Sequence, residues 1–215
     1  ISNFDSLRNL ESFKDGLFYV QDLSSILSYE NVRIEDGAQI LDMCASPGGK
    51  SIGAYLNVSE YGNCTITARD KTKAKAAAVK ENIQRLGIQG ITAEVKDACE
   101  YYEDDFEKYD VVIADVPCSG LGVISKKPDI NMHFKKSGIK ELLEIQKKII
   151  DNAVKYLKSG GKLIYSTCTF NTEENEDNVE YILKNNDMKL DFSKQYLPTE
   201  EIHMDGFFIA IFTKE

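Results

Sequence analysis

The sequence predicts an α/β protein with a mostly parallel, doubly wound sheet of seven strands and helices on both faces. The first observation is that short apolar runs, each long enough for one strand, alternate with longer segments of helical character. The second is that glycines stand where several of these segments end. The third is that no long helix separates the last two apolar runs, which predicts an antiparallel hairpin at one edge of the sheet.

The individual elements follow in chain order. Residues 71–86 are rich in helix formers, and Gly87 is a natural stop. A later helix, at about 138–158, has an apolar face and is predicted to end at Gly160-Gly161. The residues of that face are Leu142, Ile145, Ile149, Ala153 and Leu157. Further helices are predicted at 50–60 and about 173–186, and strands at 38–43, 64–70, 91–97, 109–117, 162–168, 188–192 and 206–214.

Composition limits the class of protein. The 215 residues are 42% apolar and 28% charged, which is ordinary for a globular protein, and no apolar run approaches the length of a membrane span. The five cysteines form no C-x-x-C motif and there are only two histidines, which argues against disulfides and a zinc site. We expect free thiols, a cytoplasmic location, no metal and no membrane contact.

Domain organisation is predicted from the absence of repeats and linkers. Residues 1–215 are expected to form one catalytic domain, with a lead-in at 1–36 and a Rossmann-like core at 37–215. The chain does not begin with Met, so it is expected to be a fragment of a longer protein.

Charge is unevenly distributed along the chain. The net charge is −9, which argues against a protein that binds nucleic acid with its whole surface. Residues 126–162 nevertheless carry ten lysines against four acids, and residues 172–205 carry ten acids against three lysines. Such blocks are most simply explained as solvated helix faces.

The ends of the first five strands are predicted to meet in one crevice, where open α/β sheets bind ligands. The loop LDMCASPGGKS (41–51) fits neither the P-loop nor the dinucleotide fingerprint, which indicates a ligand without phosphates. Asp70 and Asp97 end successive strands and could accept hydrogen bonds from the ribose and the exocyclic amine of an adenosine. The methionine part of S-adenosylmethionine would then lie along the Gly-Gly turn.

Two cysteines at strand ends suggest covalent chemistry. Cys118 in DVPCSG and Cys168 in YSTCTF both follow strands that lead into the crevice. A thiolate that adds to C6 of cytosine makes C5 nucleophilic enough to accept a methyl group. Such a reaction needs one nucleophilic cysteine, a group that supports charge at N3 and N4, and a means of resolving the adduct. Asp115 suits the second requirement, and the other cysteine suits the third.

The motifs resemble those of the RNA cytosine-C5 methyltransferases, most closely the bacterial Sun/Fmu-type 16S ribosomal RNA enzymes. The likeness covers nearly the whole chain. It is carried by GLFYVQDLSS (16–25), LDMCASPGGKS (41–51), ENIQRLG (81–87), DVPCSGLGVISKKPDI (115–130), GGKLIYSTCTFNTEENEDNV (160–179) and DGFFIA (205–210).

The resemblance implies a class I S-adenosylmethionine-dependent fold and a role for each motif residue. Cys168 would be the nucleophile, Cys118 would assist product release, and Asp115 would contact the cytosine edge near the cofactor. The residues implied to hold S-adenosylmethionine, and its product S-adenosylhomocysteine, are Cys44, Ala45, Ser46, Pro47, Gly48, Gly49, Lys50, Asp70, Lys75, Asp97 and Asp115.

The resemblance also implies an RNA substrate, with 16S rRNA as the first choice, presented as a flipped or single-stranded cytosine. Lys126, Lys127, Lys135 and Lys136 become candidate phosphate contacts, although Asn131-Met132 replaces a Lys-Trp pair that is frequent in the family. The NusB-like RNA-binding domain of Sun-type enzymes is expected to be missing, and no obligate protein partner is evident.

Three other functions stay open at the level of sequence. The substrate could be tRNA. A DNA cytosine methylase would use Cys118, in its P-C motif, as the attacking residue. A non-catalytic RNA-binding assembly factor would need neither thiol.

Overall fold

A single mixed sheet organises the described part of the chain, which in this computed structural model comprises residues 6–59, 62–126, 136–199 and 204–215. Within these ranges seven strands pair in the order β3-β2-β1-β4-β5-β7-β6. The strands are β1 Ala38–Asp42, β2 Cys64–Asp70, β3 Ile91–Val95, β4 Tyr109–Asp115, β5 Leu157–Thr167, β6 Met188–Tyr196 and β7 Phe207–Lys214. β1 to β5 run parallel, whereas β7 is antiparallel to both β5 and β6. The predicted fold class is confirmed.

Six α-helices connect or precede the strands in the described residues. They are α1 Glu11–Lys14, α2 Leu23–Glu30, α3 Gly49–Ser59, α4 Lys73–Arg85, α5 Lys136–Tyr156 and α6 Glu176–Asn185. Thr72 caps α4 by accepting a hydrogen bond from the Lys75 backbone amide through its side chain. Within these ranges, no helix is both long enough and apolar enough to cross a membrane.

Two apolar cores lie on opposite faces of the sheet. Successive strand residues point to opposite faces, so Ile40 joins the core beneath α2, α3 and α4 while Leu41 joins the core beneath α5 and α6. On β4, Val111 belongs to the same core as Ile40, and Val112 belongs to the same core as Leu41. A sheet with apolar residues on both faces must be covered on both, and the helices provide that cover.

The strand order reverses between β1 and β4. β1 pairs with β2 on one side and with β4 on the other, so the connections leave toward opposite edges of the sheet at this point. A crevice therefore opens beyond the carboxyl ends of β1 and β4, which is where open α/β sheets bind their ligands.

The predicted end of the long helix is wrong. α5 ends at Tyr156, and Leu157 already pairs with Tyr109 of β4. Gly160, with φ of +77°, lies between Leu157 and Lys162 of β5. The pairing register between β5 and β4 is irregular in this stretch. The spacing of Leu157 fits the apolar face of the helix. Leu157 is instead the first residue of β5, because it pairs with and is buried against β4.

The closing hairpin lies at one edge of the sheet, as predicted. β6 and β7 form the predicted antiparallel pair, but the final strand does not lie at the edge. β7 inserts between β5 and β6, where its six residues from Phe207 to Phe212 are buried. That apolar run requires a central position, whereas β6 alternates between buried and exposed residues and suits an edge.

Candidate active site

A cavity of about 370 Å³ opens at the carboxyl ends of β1 and β4. Its wall combines parts of the segments 20–25, 42–50 and 205–207 with Asp115, Val123 and Cys168. The size lies within the range of small-molecule sites in proteins. Thus the structure brings the glycine loop, Asp115 and one of the two candidate cysteines to one place.

The glycine loop between β1 and α3 forms one side of this cavity. The Gly48 amide donates to the Ala45 carbonyl over 2.6 Å, and Gly48 has φ of +106°, a conformation that side chains rarely adopt. A Cβ atom at this position would also lie 3.3 Å from Val79 of α4. Glycine therefore allows the loop to turn sharply while it packs against α4.

The cavity wall is acidic. Among its described residues are four carboxylates, those of Asp22, Asp42, Asp115 and Asp205, and one cation, Lys50. Even with Lys126 at the rim paired to Asp22 and Asp205, carboxyl groups outnumber cations, which favours a positively charged ligand and disfavours phosphates. S-adenosylmethionine carries a sulfonium and an ammonium group and no phosphate, so the residues present fit this cofactor.

Asp42 is buried beneath the glycine loop. The Ser51 hydroxyl donates to its carboxylate over 2.6 Å. Burial raises the pKa of Asp42 to about 7, since the favourable effects of Ser51 and Lys50 only partly offset the loss of solvation. Lys50 and Asp115 are the charged groups that act on it most strongly.

Asp115 ends β4 and is held on both sides. Lys50 Nζ lies 2.7 Å from one carboxylate oxygen, and the Ser166 hydroxyl donates to the other over 2.7 Å. Lys50 itself lies 5.0 Å from the centre of the Phe207 ring. These contacts fix the carboxylate between the glycine loop and β5.

The two candidate cysteines touch. Cys118 Sγ and Cys168 Sγ are 3.1 Å apart, and the Cys168 amide donates to Cys118 Sγ over 3.3 Å. The contact with Cys118 lowers the pKa of Cys168, and Lys50 lowers it further, whereas burial and Asp115 raise it. The same pairing, together with burial, raises the pKa of Cys118 well above its usual range. Of the two thiols, Cys168 therefore has the lower pKa and is the better candidate nucleophile.

Asp70, Lys75 and Asp97 do not line the cavity. Asp70 accepts from the Ser46 amide over 3.1 Å, so it supports the glycine loop from behind, and it also pairs with Lys75 Nζ at 3.3 Å. Asp97 lies beyond β3 and pairs with Lys71 Nζ at 2.9 Å. The adenosine-binding roles of these residues stay predictions.

The candidate RNA-contacting lysines are only partly described. Lys126 Nζ pairs with the carboxylates of Asp22 and Asp205, at the rim of the cavity. Lys136 is the first residue of α5. Lys127, Lys135 and the Asn131-Met132 pair lie outside the described residues.

Sequence reasoning missed several residues of the cavity wall. Gln21 and Asp22 lie in the motif GLFYVQDLSS, and Asp205 begins DGFFIA, but neither motif suggested a ligand contact by its spacing. Asp42 in the wall, and Ser166, which lies outside the wall and holds Asp115, both belong to strands that otherwise look like core. The signal available for all of them was a polar residue at the carboxyl end of a strand or next to a motif.

The chain is similar to known proteins over most of its length. A family model described as "16S rRNA methyltransferase RsmB/F" matches residues 31–213. Ribosomal RNA small subunit methyltransferase B of Proteus mirabilis is 36% identical over 210 residues, which are 96% of this chain and 48% of the relative. The tRNA (cytosine(72)-C(5))-methyltransferase of Pyrococcus horikoshii is 33% identical over 218 residues, which are 95% of this chain and 54% of the relative.

A solved structure supports the same likeness. The crystal structure of NSun6 from Pyrococcus horikoshii with SFG aligns with a TM-score of 0.86 and 32% identity, over 98% of this chain and 56% of the other. The chain thus spans about half the length of the relatives that it matches.

Proposed function

This chain belongs to the 16S rRNA methyltransferase RsmB/F family, and we propose that it methylates C5 of a cytosine in RNA, with S-adenosylmethionine as the methyl donor. The observation that carries the proposal is the 3.1 Å contact between Cys118 Sγ and Cys168 Sγ beside the acidic cavity. A thiolate and a thiol in contact supply both the nucleophile and the group that resolves its adduct.

Cys168 begins the reaction. Its thiolate forms a bond to C6 of the cytosine, and Asp115 supports the charge that develops at N3 and N4. When bound, the cofactor would supply an electrophilic methyl group to C5 and would leave as S-adenosylhomocysteine. Solvent then takes the C5 proton, the electron pair of that C–H bond restores the C5–C6 double bond, and the Sγ–C6 bond breaks to release Cys168, which Cys118 assists. The loop 44–50, Asp70, Lys75 and Asp97 would hold the cofactor.

The direction of the two pKa shifts supports this assignment of roles. A lowered pKa at Cys168 favours attack by this residue, whereas a raised pKa keeps Cys118 protonated. A DNA-type methylase, with Cys118 as the nucleophile, would require the lower pKa at Cys118. A non-catalytic assembly factor would have no need for the contacts that hold Asp115 and the two thiols in place.

The preferred substrate is small-subunit rRNA. The relatives named ribosomal RNA small subunit methyltransferase B support this choice, and the tRNA (cytosine(72)-C(5))-methyltransferase supports tRNA as a second candidate. The target base must leave its stack before Cys168 can reach C6, so the proposed substrate is a flipped or single-stranded cytosine.

The proposal is tested by trapping the covalent intermediate. Cys118→Ala should accumulate an RNA adduct that survives denaturing gel electrophoresis, because attack proceeds but release does not. Cys168→Ala should form none, and the half-buried Cys99→Ser variant should behave as the wild type. Equal adduct from both variants, or near wild-type methylation by Cys168→Ser, would contradict the roles of the two cysteines.

The identity of the substrate is tested separately. Purified protein is incubated with S-adenosylmethionine and either ribosomal or transfer RNA, and bisulfite sequencing then locates new 5-methylcytosines. Methylation confined to rRNA supports the preferred substrate, and methylation confined to tRNA supports the second candidate.

A further inference from the structure

A buried carboxylate lies behind the cysteine pair. Glu174 ends a short 3-10 helix, Thr172–Glu174, and is fully buried. One carboxylate oxygen accepts from the Ser119 amide over 2.9 Å and from Gln146 Nε2 over 3.0 Å, and the other accepts from Asn171 Nδ2 over 3.1 Å. Within the described part of the chain, no lysine, arginine or histidine pairs with it.

The donors to Glu174 come from both cysteine loops. Ser119 directly follows Cys118, and Gln146 also donates to the carbonyl of Pro117 over 2.9 Å, so both neighbours of Cys118 are tied to this carboxylate. Asn171 belongs to the loop that follows Cys168. One side chain therefore links the two loops.

Burial of the Glu174 carboxylate is energetically unfavourable. A buried carboxylate loses its hydration, and without a cation only hydrogen bonds offset that loss. An apolar side chain could fill such a site without that penalty, but it could not hold three donors from separate segments. Glu174 is thus suited to fixing geometry.

Cys118 depends on this link more than Cys168 does. Cys168 directly follows β5, whose last residue Thr167 pairs with Phe208, and the Cys168 carbonyl accepts from the Gly122 amide over 2.9 Å. Cys118 instead lies in the irregular segment after β4. Loss of Glu174 should therefore displace Cys118 while leaving Cys168 nearly in place.

We propose that Glu174 is a positioning residue that holds Cys118 against Cys168 and thereby controls release of the methylated RNA. The inference rests on the proposed function, because it assumes that Cys168 forms the adduct and Cys118 resolves it. Glu174 does not touch the reacting atoms and acts by tying the loop that carries Cys118 to the loop that follows Cys168.

The test compares Glu174→Ala with Glu174→Gln and with a matched control, the exposed neighbour Glu173→Gln. Glu174→Ala should lower kcat roughly 10- to 100-fold, the size of effect that a misplaced catalytic group produces. KM for RNA should fall together with kcat, because slower release leaves kcat/KM unchanged. The Kd for S-adenosylhomocysteine, measured by calorimetry, should stay unchanged. The fraction of protein in a covalent RNA complex should rise toward that of Cys118→Ala. Glu174→Gln keeps an acceptor for Ser119 and Gln146 and should retain most of the activity.

Two results would overturn the inference. One is a lower melting temperature of Glu174→Ala with unchanged kcat and adduct fraction per folded molecule, which would make Glu174 purely structural. The other is complete loss of the adduct, which would place its effect on attack by Cys168. If Glu174→Ala does not fold, Asn171→Ala, which removes only one donor, should raise the adduct fraction moderately, and no rise would count against the inference. An absence of adduct in the parallel Cys118→Ala sample would instead contradict the proposed function itself.

Discussion

At the residue scale, the two candidate catalytic thiols differ because they are in contact with each other. The contact between the two sulfur atoms lowers the pKa of Cys168 and raises the pKa of Cys118. Neither motif alone contains this asymmetry, since both cysteines simply follow a strand. The contact between strands β4 and β5 creates it.

This asymmetry predicts the pH dependence of alkylation. The rate at which iodoacetamide modifies Cys168 should rise with pH at a lower midpoint than that of Cys99, whose pKa is raised by burial. In Cys118→Ala the midpoint for Cys168 should move to higher pH, because the hydrogen bond that lowers its pKa is lost. Mass spectrometry of each cysteine after timed exposure measures both midpoints. An unchanged Cys168 midpoint in Cys118→Ala would show that the neighbouring thiol does not set its pKa.

Asp42 is a carboxyl group whose charged form is disfavoured by burial. Its pKa is about 7 in the folded protein, above the ordinary value of 3.8. An acid with a raised folded pKa binds more protons in the folded state than in the unfolded state. The free energy of unfolding therefore falls as pH rises from about 4 to about 7, and the cost is fully present above pH 7.

Replacement of Asp42 should therefore stabilise the protein at high pH. Asp42→Asn keeps an acceptor for the Ser51 hydroxyl but carries no charge, so its advantage over the wild type should grow between pH 5 and pH 8 to on the order of 2–4 kcal/mol. Urea unfolding at the two pH values measures this, with the exposed Asp104→Asn as control. A variant that is no more stable than the wild type at pH 8 would contradict the argument.

At the element scale, the lead-in segment is attached to the core through α4. Arg85 Nη1 donates to the carbonyls of Phe13 and Phe18, over 2.7 and 3.0 Å, and the guanidinium lies 3.8 Å from the centre of the Phe13 ring. Gly16 passes so close that a Cβ atom would lie 1.8 Å from the Arg85 carbonyl oxygen. Since Gln21 and Asp22 line the cavity, docking of this segment helps to complete the site.

Arg85→Lys should release this segment, because an ammonium group cannot hold both carbonyls and stack on the ring. We expect a loss of about 1–3 kcal/mol of local stability, seen as faster hydrogen exchange of amides in residues 11–20, and weaker binding of S-adenosylhomocysteine. The control is Lys80→Ala, an exposed position on the same helix. Exchange rates equal to those of the wild type would refute the role of Arg85.

At the scale of the whole molecule, charge limits the RNA binding that the proposed function requires. The chain carries a net charge of −9. Of the four candidate lysines, Lys126 is already paired with two carboxylates. We therefore expect a few phosphate contacts and a modest affinity for RNA.

Binding of RNA should be weak and should fall roughly tenfold or more between 50 and 200 mM salt, because a few phosphates release their counterions. Replacement of Lys127, Lys135 and Lys136 by alanine should reduce the slope of log K against log salt. Replacement of the exposed Lys184, Lys189 and Lys194 serves as the control. Fluorescence anisotropy with labelled RNA gives both slopes, and binding that is insensitive to salt would remove the case for these lysines.

The sequence by itself determined the alternation of strands and helices, the parallel sheet and the loops that carry Cys118 and Cys168. These features depend on local patterns: apolar runs fit strands, glycine permits the turn at Gly48, and parallel strands place their carboxyl ends on one edge. The family likeness was readable for the same reason, since its motifs are contiguous.

Only the tertiary structure decided how those parts meet. The strand that begins at Leu157, the insertion of β7 between β5 and β6, and the link from Glu174 to both cysteine loops join residues that are distant in sequence. The acidic wall and the pairing of Lys126 with Asp22 and Asp205 arise in the same way. Burial, partner choice and electrostatic environment depend on which distant side chains pack together, and no local pattern contains that information.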